Sequence, residues 1–152
     1  METTKQVSIF LDNKPGRLAN VLSGLAKEKI NVTALTVMDS HEHSVLRTVT
    51  DDAAKTIKVL KTMGIPCGEA DVLLIELRNQ PGALANVCET LAAEHINIDY
   101  CYASSGGRNG RVYGIFKVSN NDRAKSVLSG GNSKKAERRQ IRDRRSYTGP
   151  VR

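Results

Sequence analysis

One stretch of this chain is written twice. Asn13-Lys14-Pro15-Gly16-Arg17-Leu18-Ala19-Asn20-Val21 returns as Asn79-Gln80-Pro81-Gly82-Ala83-Leu84-Ala85-Asn86-Val87, shifted by 79 − 13 = 66 positions. Over 13–32 and 79–98 the copies share Asn, Pro, Gly, Leu, Ala, Asn, Val, Leu, Ala, Glu, Ile and Asn, 12 of 20 positions. That density marks an internal duplication, so any fold proposed for one copy has to serve both.

The flanking pattern supplies the elements. Before the first turn, Val7, Ile9 and Leu11 alternate with Gln6, Ser8 and Phe10, the mark of a half-buried strand. Leu73, Ile75 and Leu77 repeat it 66 positions on. Pro15 suits a helix start, where its missing N–H would be unpaired in any case. The helix that follows carries Leu18, Val21, Leu22, Leu25 and Ala26 on one face and runs to about Lys29. Its counterpart over 82–95 buries Leu84, Val87, Cys88 and Leu91. In the first copy, Ile30 to Asp39 and Ser44 to Val49 read as strands joined by a hairpin at His41-Glu42-His43. Thr50-Asp51-Asp52 then caps a helix closed by Gly64, with a short fourth strand from about Ile65 to Glu69.

These elements give βαββαβ, with both helices expected on one face of an antiparallel sheet. In the second copy, 97–104 and 111–118 are strands around a glycine-rich hairpin loop, Ser105 to Gly110. Asn120-Asn121-Asp122 caps a helix through Leu128. Gly130-Gly131 ends that helix and no last strand follows, so the second unit reads βαββα. The expected fold class is α+β: two ferredoxin-like modules, 1–69 and 70–131, the second lacking its last strand. In the strand order 4-1-3-2 of such a fold this leaves 71–78 as an open edge. It is expected to be covered by another subunit or by part of the first unit.

Composition narrows the function classes. The net charge of +7 resides largely in 132–152: from Lys134 onward there are eight basic and two acidic residues, +6, leaving +1 for 1–133. The folded part is nearly neutral and the basic tail reads as a disordered extension. No apolar run approaches the roughly 18–20 residues of a membrane span. Met1 to Lys5 leads straight into a strand pattern without the apolar run of a secretory signal. Cys67, Cys88 and Cys101 are an odd number without metal-ligand spacing, which fits reduced thiols in the cytoplasm. His41 and His43 alone do not make a metal site. Gly106-Gly107-Arg108-Asn109-Gly110 lies between strands, where a phosphate cradle needs a following helix. Nothing assembles into a nucleophile, a base and an orienting group, so no enzyme, metal or cofactor is expected.

The pattern of a strand, Asn-x-Pro-Gly-x-Leu, an amphipathic helix and then Ile-Asn-Val or Ile-Asn-Ile resembles the ACT domain, here as a tandem pair over about residues 5–128. The resemblance implies a ferredoxin-like fold and binding of an amino acid or similar metabolite between paired modules. More narrowly it is similar to the serine-sensing module of phosphoglycerate dehydrogenase, in which an Asn before the Pro-Gly turn and another at the next strand hold the ligand. Asn13 and Asn31 occupy those places, and Asn79 and Asn97 repeat them. That module's His two positions before the first Asn is Leu11 and Leu77 here, so serine itself is not carried over.

The chemistry of the residues agrees with such a site. Amides at a helix start attract a carboxylate, glycine lets a ligand approach the backbone, and Asn can donate or accept. The expected ligand-binding set is Asn13, Pro15, Gly16, Arg17, Leu18, Asn31 and Val32, with Asn79, Pro81, Gly82, Ala83, Leu84, Asn97 and Ile98. Arg17 against Ala83 makes the two sites differ in charge. The expectation is therefore a non-enzymatic, amino-acid-sensing regulatory protein, a homodimer acting on a partner enzyme. Its alternative is an RNA- or polyanion-binding protein using the ferredoxin-like modules and the basic tail, since Arg111 to Phe116 faintly echoes an RNA-recognition strand.

Overall fold

Strand, Pro-Gly turn and helix follow one another in the structure in the order set by the repeat. A computed structural model describes residues 1–39, 43–105 and 111–130. The expectations for His41, for Gly106 to Gly110 and for 132–152 fall outside these residues. In chain order the elements are β1 (Glu2–Asp12), α1 (Arg17–Lys27), β2 (Val32–Asp39), β3 (His43–Thr50), α2 (Ala53–Thr62), β4 (Cys67–Arg78), α3 (Ala83–Ala93), β5 (Ile98–Ser105) and β6 (Arg111–Val118). A last helix, α4, covers 121–130.

Helix ends differ in kind. At α2 the Asp52 carboxylate accepts the Lys55 amide at 2.8 Å, and at α4 the Asn120 carboxamide oxygen accepts that of Arg123 at 2.9 Å. α1 and α3 instead start at Gly16 and Gly82, with φ of 85° and 81° and no side-chain cap. At their far ends, Ile30 and Ile96 donate to Leu25 and Leu91, while Lys29 and His95 donate to Ala26 and Ala92. This is a Schellman closure with Lys29 (φ 59°) and His95 (φ 54°) in the left-handed place where glycine usually stands. α1 accordingly stops at Lys27, two residues before the expected end.

All six strands form one sheet in the order β2-β3-β1-β4-β6-β5, every described neighbour antiparallel. The strands expected over 65–69 and 71–78 are one strand, β4, so the boundary drawn between 69 and 70 falls inside a continuous element. Its first half, Cys67–Asp71, pairs with β1 as the fourth strand of the first module. Its second half pairs with both β6 and the start of β1, Glu2 lying opposite Leu74. The edge at 71–78 is thus covered as far as Leu74 by the first unit.

β1 and β4 are related by a local twofold. Moving each partner by 66 turns the pair Glu2–Leu74 into Gly68–Ser8, which is also a pair. The centre is Lys5–Asp71, 71 − 5 = 66 positions apart, joined at 3.1 Å. Asp71 first, and then Glu69, raise the Lys5 amine above its ordinary value. By this symmetry the lead-in of each module's first strand serves as the other module's fourth.

The helices lie on one face of the sheet over two cores, Val7, Ile9, Leu25, Leu46 and Leu60 in the first module and Leu73, Leu91, Phe116 and Val118 in the second. The other face is not solvent. β2 and β5 end the sheet at opposite edges, yet the Ser104 hydroxyl donates to the Thr33 carbonyl at 3.2 Å. The sheet therefore curls until its halves face each other, enclosing Ala34, Val49, Val72, Leu74 and Ile115. Gln6, read from the sequence as outward-facing, is 0% exposed on this inner face. It donates to the Tyr100 hydroxyl at 2.8 Å and accepts from Tyr102 at 3.0 Å, while Arg47 stacks on the Tyr100 ring at 3.8 Å.

Candidate functional site

The two Pro-Gly bends sit at the N-termini of α1 and α3 and share one hydrogen-bond scheme. Lys14 donates to Asp12 and Arg17 to Lys14; Gln80 donates to Arg78 and Ala83 to Gln80. The first intrahelical bonds run from Asn20 to Gly16 and from Asn86 to Gly82, both 2.9 Å. Gly16 and Gly82 have no side chain with which to cap their helices, and the amides of Leu18 and Ala19, and of Leu84 and Ala85, have no intrahelical partner at the positive end of the helix dipole. Among the described residues, no atom lies within 4 Å of where a Cβ on Gly16 or Gly82 would stand. Asn13, Pro15, Gly16, Arg17 and Leu18 are all exposed, as are Asn79, Pro81, Gly82 and Leu84, with Ala83 half-buried.

Asn31 and Val32, and Asn97 and Ile98, stand at the other end of each helix. α1 and α3 have 11 residues each, so about 16 Å of helix at about 1.5 Å per residue lies between Asn13 and Asn31, and between Asn79 and Asn97. One ligand cannot touch both asparagines of a module. The Asn31 amide donates to the Asp51 carboxylate at 3.0 Å, and Asn31 accepts the Asp51 amide at 3.1 Å. The Asn97 carboxamide donates to Asp99 at 2.9 Å.

The bends differ in charge. At the first, Asp12 lies 3.3 Å from Arg17 and 4.0 Å from Lys14. At the second, Arg78 stands where Asp12 does and Ala83 where Arg17 does, and Glu76 pairs with Arg111 at 3.3 Å. Two openings adjoin these elements. A groove of about 370 Å³ runs beside the end of β1, lined by Phe10, Leu11, Asp12 and Pro66. A polar cavity of about 330 Å³ lies on the inner face, lined among others by Glu2, Thr4, Thr33, Asp51 and Tyr113. Sequence reasoning missed the first. Its one signal was Phe10, an apolar residue on the polar side of an alternating strand.

A family model described as an ACT domain pair matches residues 2–141. The chain belongs to the ACT domain pair family. A solved structure of a Bacteroides thetaiotaomicron protein is 38% identical, with a TM-score of 0.78 over 86% of this chain and 89% of that one. The regulatory subunit of aspartate kinase from Thermus thermophilus, in ligand-free form, shares the fold at 15% identity and a TM-score of 0.64, over 88% of this chain and 97% of that one. The structure of aspartokinase alpha and beta subunits gives 19% and 0.56, over 88% and 98%. Among curated proteins none matches.

The nucleic-acid reading of the ACT pair loses ground on geometry. RNA-recognition modules stack bases on aromatics of their open sheet face. Here that face is turned inward, and Tyr100 and Tyr102 are engaged with Gln6. A thiol nucleophile needs a lowered pKa. Partial burial, and then Cys88 nearby, push the Cys101 thiol up instead. No described helix is long and apolar enough to cross a membrane.

Proposed function

We propose that this ACT pair is a non-enzymatic sensor that binds a free amino acid at its Pro-Gly bends and regulates a partner enzyme. The observation that carries the reading is the pair of exposed helix starts at Gly16 and Gly82, where the N-cap brings no side chain and no described atom lies within 4 Å of the place a Cβ would take. Oriented amides at a dipole's positive end suit a carboxylate, and a neighbouring carboxamide can serve the ammonium. Membership of the ACT family and the shared fold with aspartate kinase regulatory subunits support it.

Because each module holds its two asparagines at opposite ends of a helix, a ligand touching both kinds bridges a bend of one module and the Asn-bearing strand of another. A second copy of the chain supplies that neighbour in a homodimer. Ligand then favours the paired arrangement by the difference in its affinity for the paired and unpaired states. A thermal-shift screen of the free amino acids, followed by sedimentation with and without the hit, tests this. A single class of hit that strengthens dimerisation is expected.

A further inference from the structure

A groove lies beside the first bend. Pro66 takes the Phe10 amide on its carbonyl at 3.0 Å but has no N–H to return to the Phe10 carbonyl. The ladder between β1 and β4 therefore stops, β4 begins only at Cys67, and the last residues of β1 run on past it. The gap is the groove of about 370 Å³ lined by Phe10, Leu11, Asp12 and Pro66. That is near the lower end of small-ligand pockets, about 300–1,000 Å³, and suits a single amino-acid side chain.

Three of its four lining residues are apolar, and Phe10 stands 50% exposed at its rim. The fourth, Asp12, joins groove to bend: its carboxylate meets Arg17 at 3.3 Å and its carbonyl accepts the Lys14 amide at 2.8 Å. An exposed pair of this kind is worth little as it stands, so exchanging it costs little. It presents one negative and one positive group side by side, the complement of a zwitterion. In the second module Glu76 replaces Phe10 and Arg78 replaces Asp12, which removes both features.

We infer that this groove is a side-chain subsite that makes the first bend select an α-amino acid with an uncharged, apolar side chain. Asp12 joins the carboxamide in holding the ammonium, Arg17 joins the amides at the start of α1 in holding the carboxylate, and the side chain lies between the Phe10 ring and Pro66. The inference rests on the proposed amino-acid binding and adds which class is bound, and where.

Calorimetric titration of the full chain with leucine, methionine and phenylalanine, against serine, aspartate and lysine, tests it. The apolar set is expected to bind one molecule per chain and about tenfold or more tighter than the polar set. Phe10→Glu, which copies the second module at a half-exposed position, is expected to abolish the preference, with the milder Phe10→Ser reducing it. Nuclear Overhauser contacts from the ligand's side-chain protons to the Phe10 ring are expected in the wild type. An amino acid that binds without preference for apolar side chains, or equally well to both Phe10 variants, would overturn the subsite and leave the sensing role standing. Binding by none of the six, with no hit among the remaining amino acids, would overturn both.

Discussion

Gln6 shows how one residue ties the two modules together. Its carboxamide is fully buried and serves two tyrosine hydroxyls from the far strand of the sheet. Gln6→Leu fills the space but strands the hydroxyls, and a buried group without its partner costs about 1–3 kcal/mol. Urea unfolding is expected to show a loss of that size. Tyr102 carries a pH signature. Burial chiefly, then Tyr100, with Arg47 opposing, raises its hydroxyl well above the ordinary 10.0. The folded state thus keeps the proton longer than the unfolded one. This contribution to stability is complete below pH 10 and falls as pH rises beyond it. In a spectrophotometric titration, Tyr102 is expected to resist ionisation until alkaline unfolding, and Tyr102→Phe to remove that component.

At the scale of elements, the closures of α1 and α3 are strained where that of α2 is not. Lys29 and His95 hold positive φ values that Gly64 adopts in the same role. Left-handed backbone costs an ordinary residue about 1–2 kcal/mol, so Lys29→Gly and His95→Gly are each expected to stabilise by about 1 kcal/mol, read from the urea midpoint. The same feature explains a limit of sequence reading. Without a glycine to mark the stop, α1 looked two residues longer than it is. The strands and helices themselves were legible, because Val7-Ile9-Leu11 and Val21-Leu25 carry their periods openly. Glu2 to Thr4 were not, since nothing in Glu-Thr-Thr announces a strand until β4 lies alongside. The bends were legible as Pro-Gly motifs, whereas the groove arises from the ladder that Pro66 ends.

At the scale of the molecule, the duplication was readable and its consequence was not. Local alternation says that one face of a strand is apolar, but not what covers the other. Gln6 and Ser8 therefore looked solvent-facing, although the curled sheet puts Gln6 inside. Because β4 serves both modules and the inner cluster draws on both, the halves are not independent. Scanning calorimetry is expected to give one transition, with van't Hoff and calorimetric enthalpies equal, rather than two. The two Pro-Gly bends are proposed to take a free amino acid. The most direct measurement is isothermal titration of the intact chain with each amino acid, repeated on Asn13→Ala and Asn79→Ala. Saturable binding of at least one, weakened by about 1–3 kcal/mol in a variant, is predicted. No saturable heat from any amino acid, or wild-type affinity in both variants, would contradict this reading.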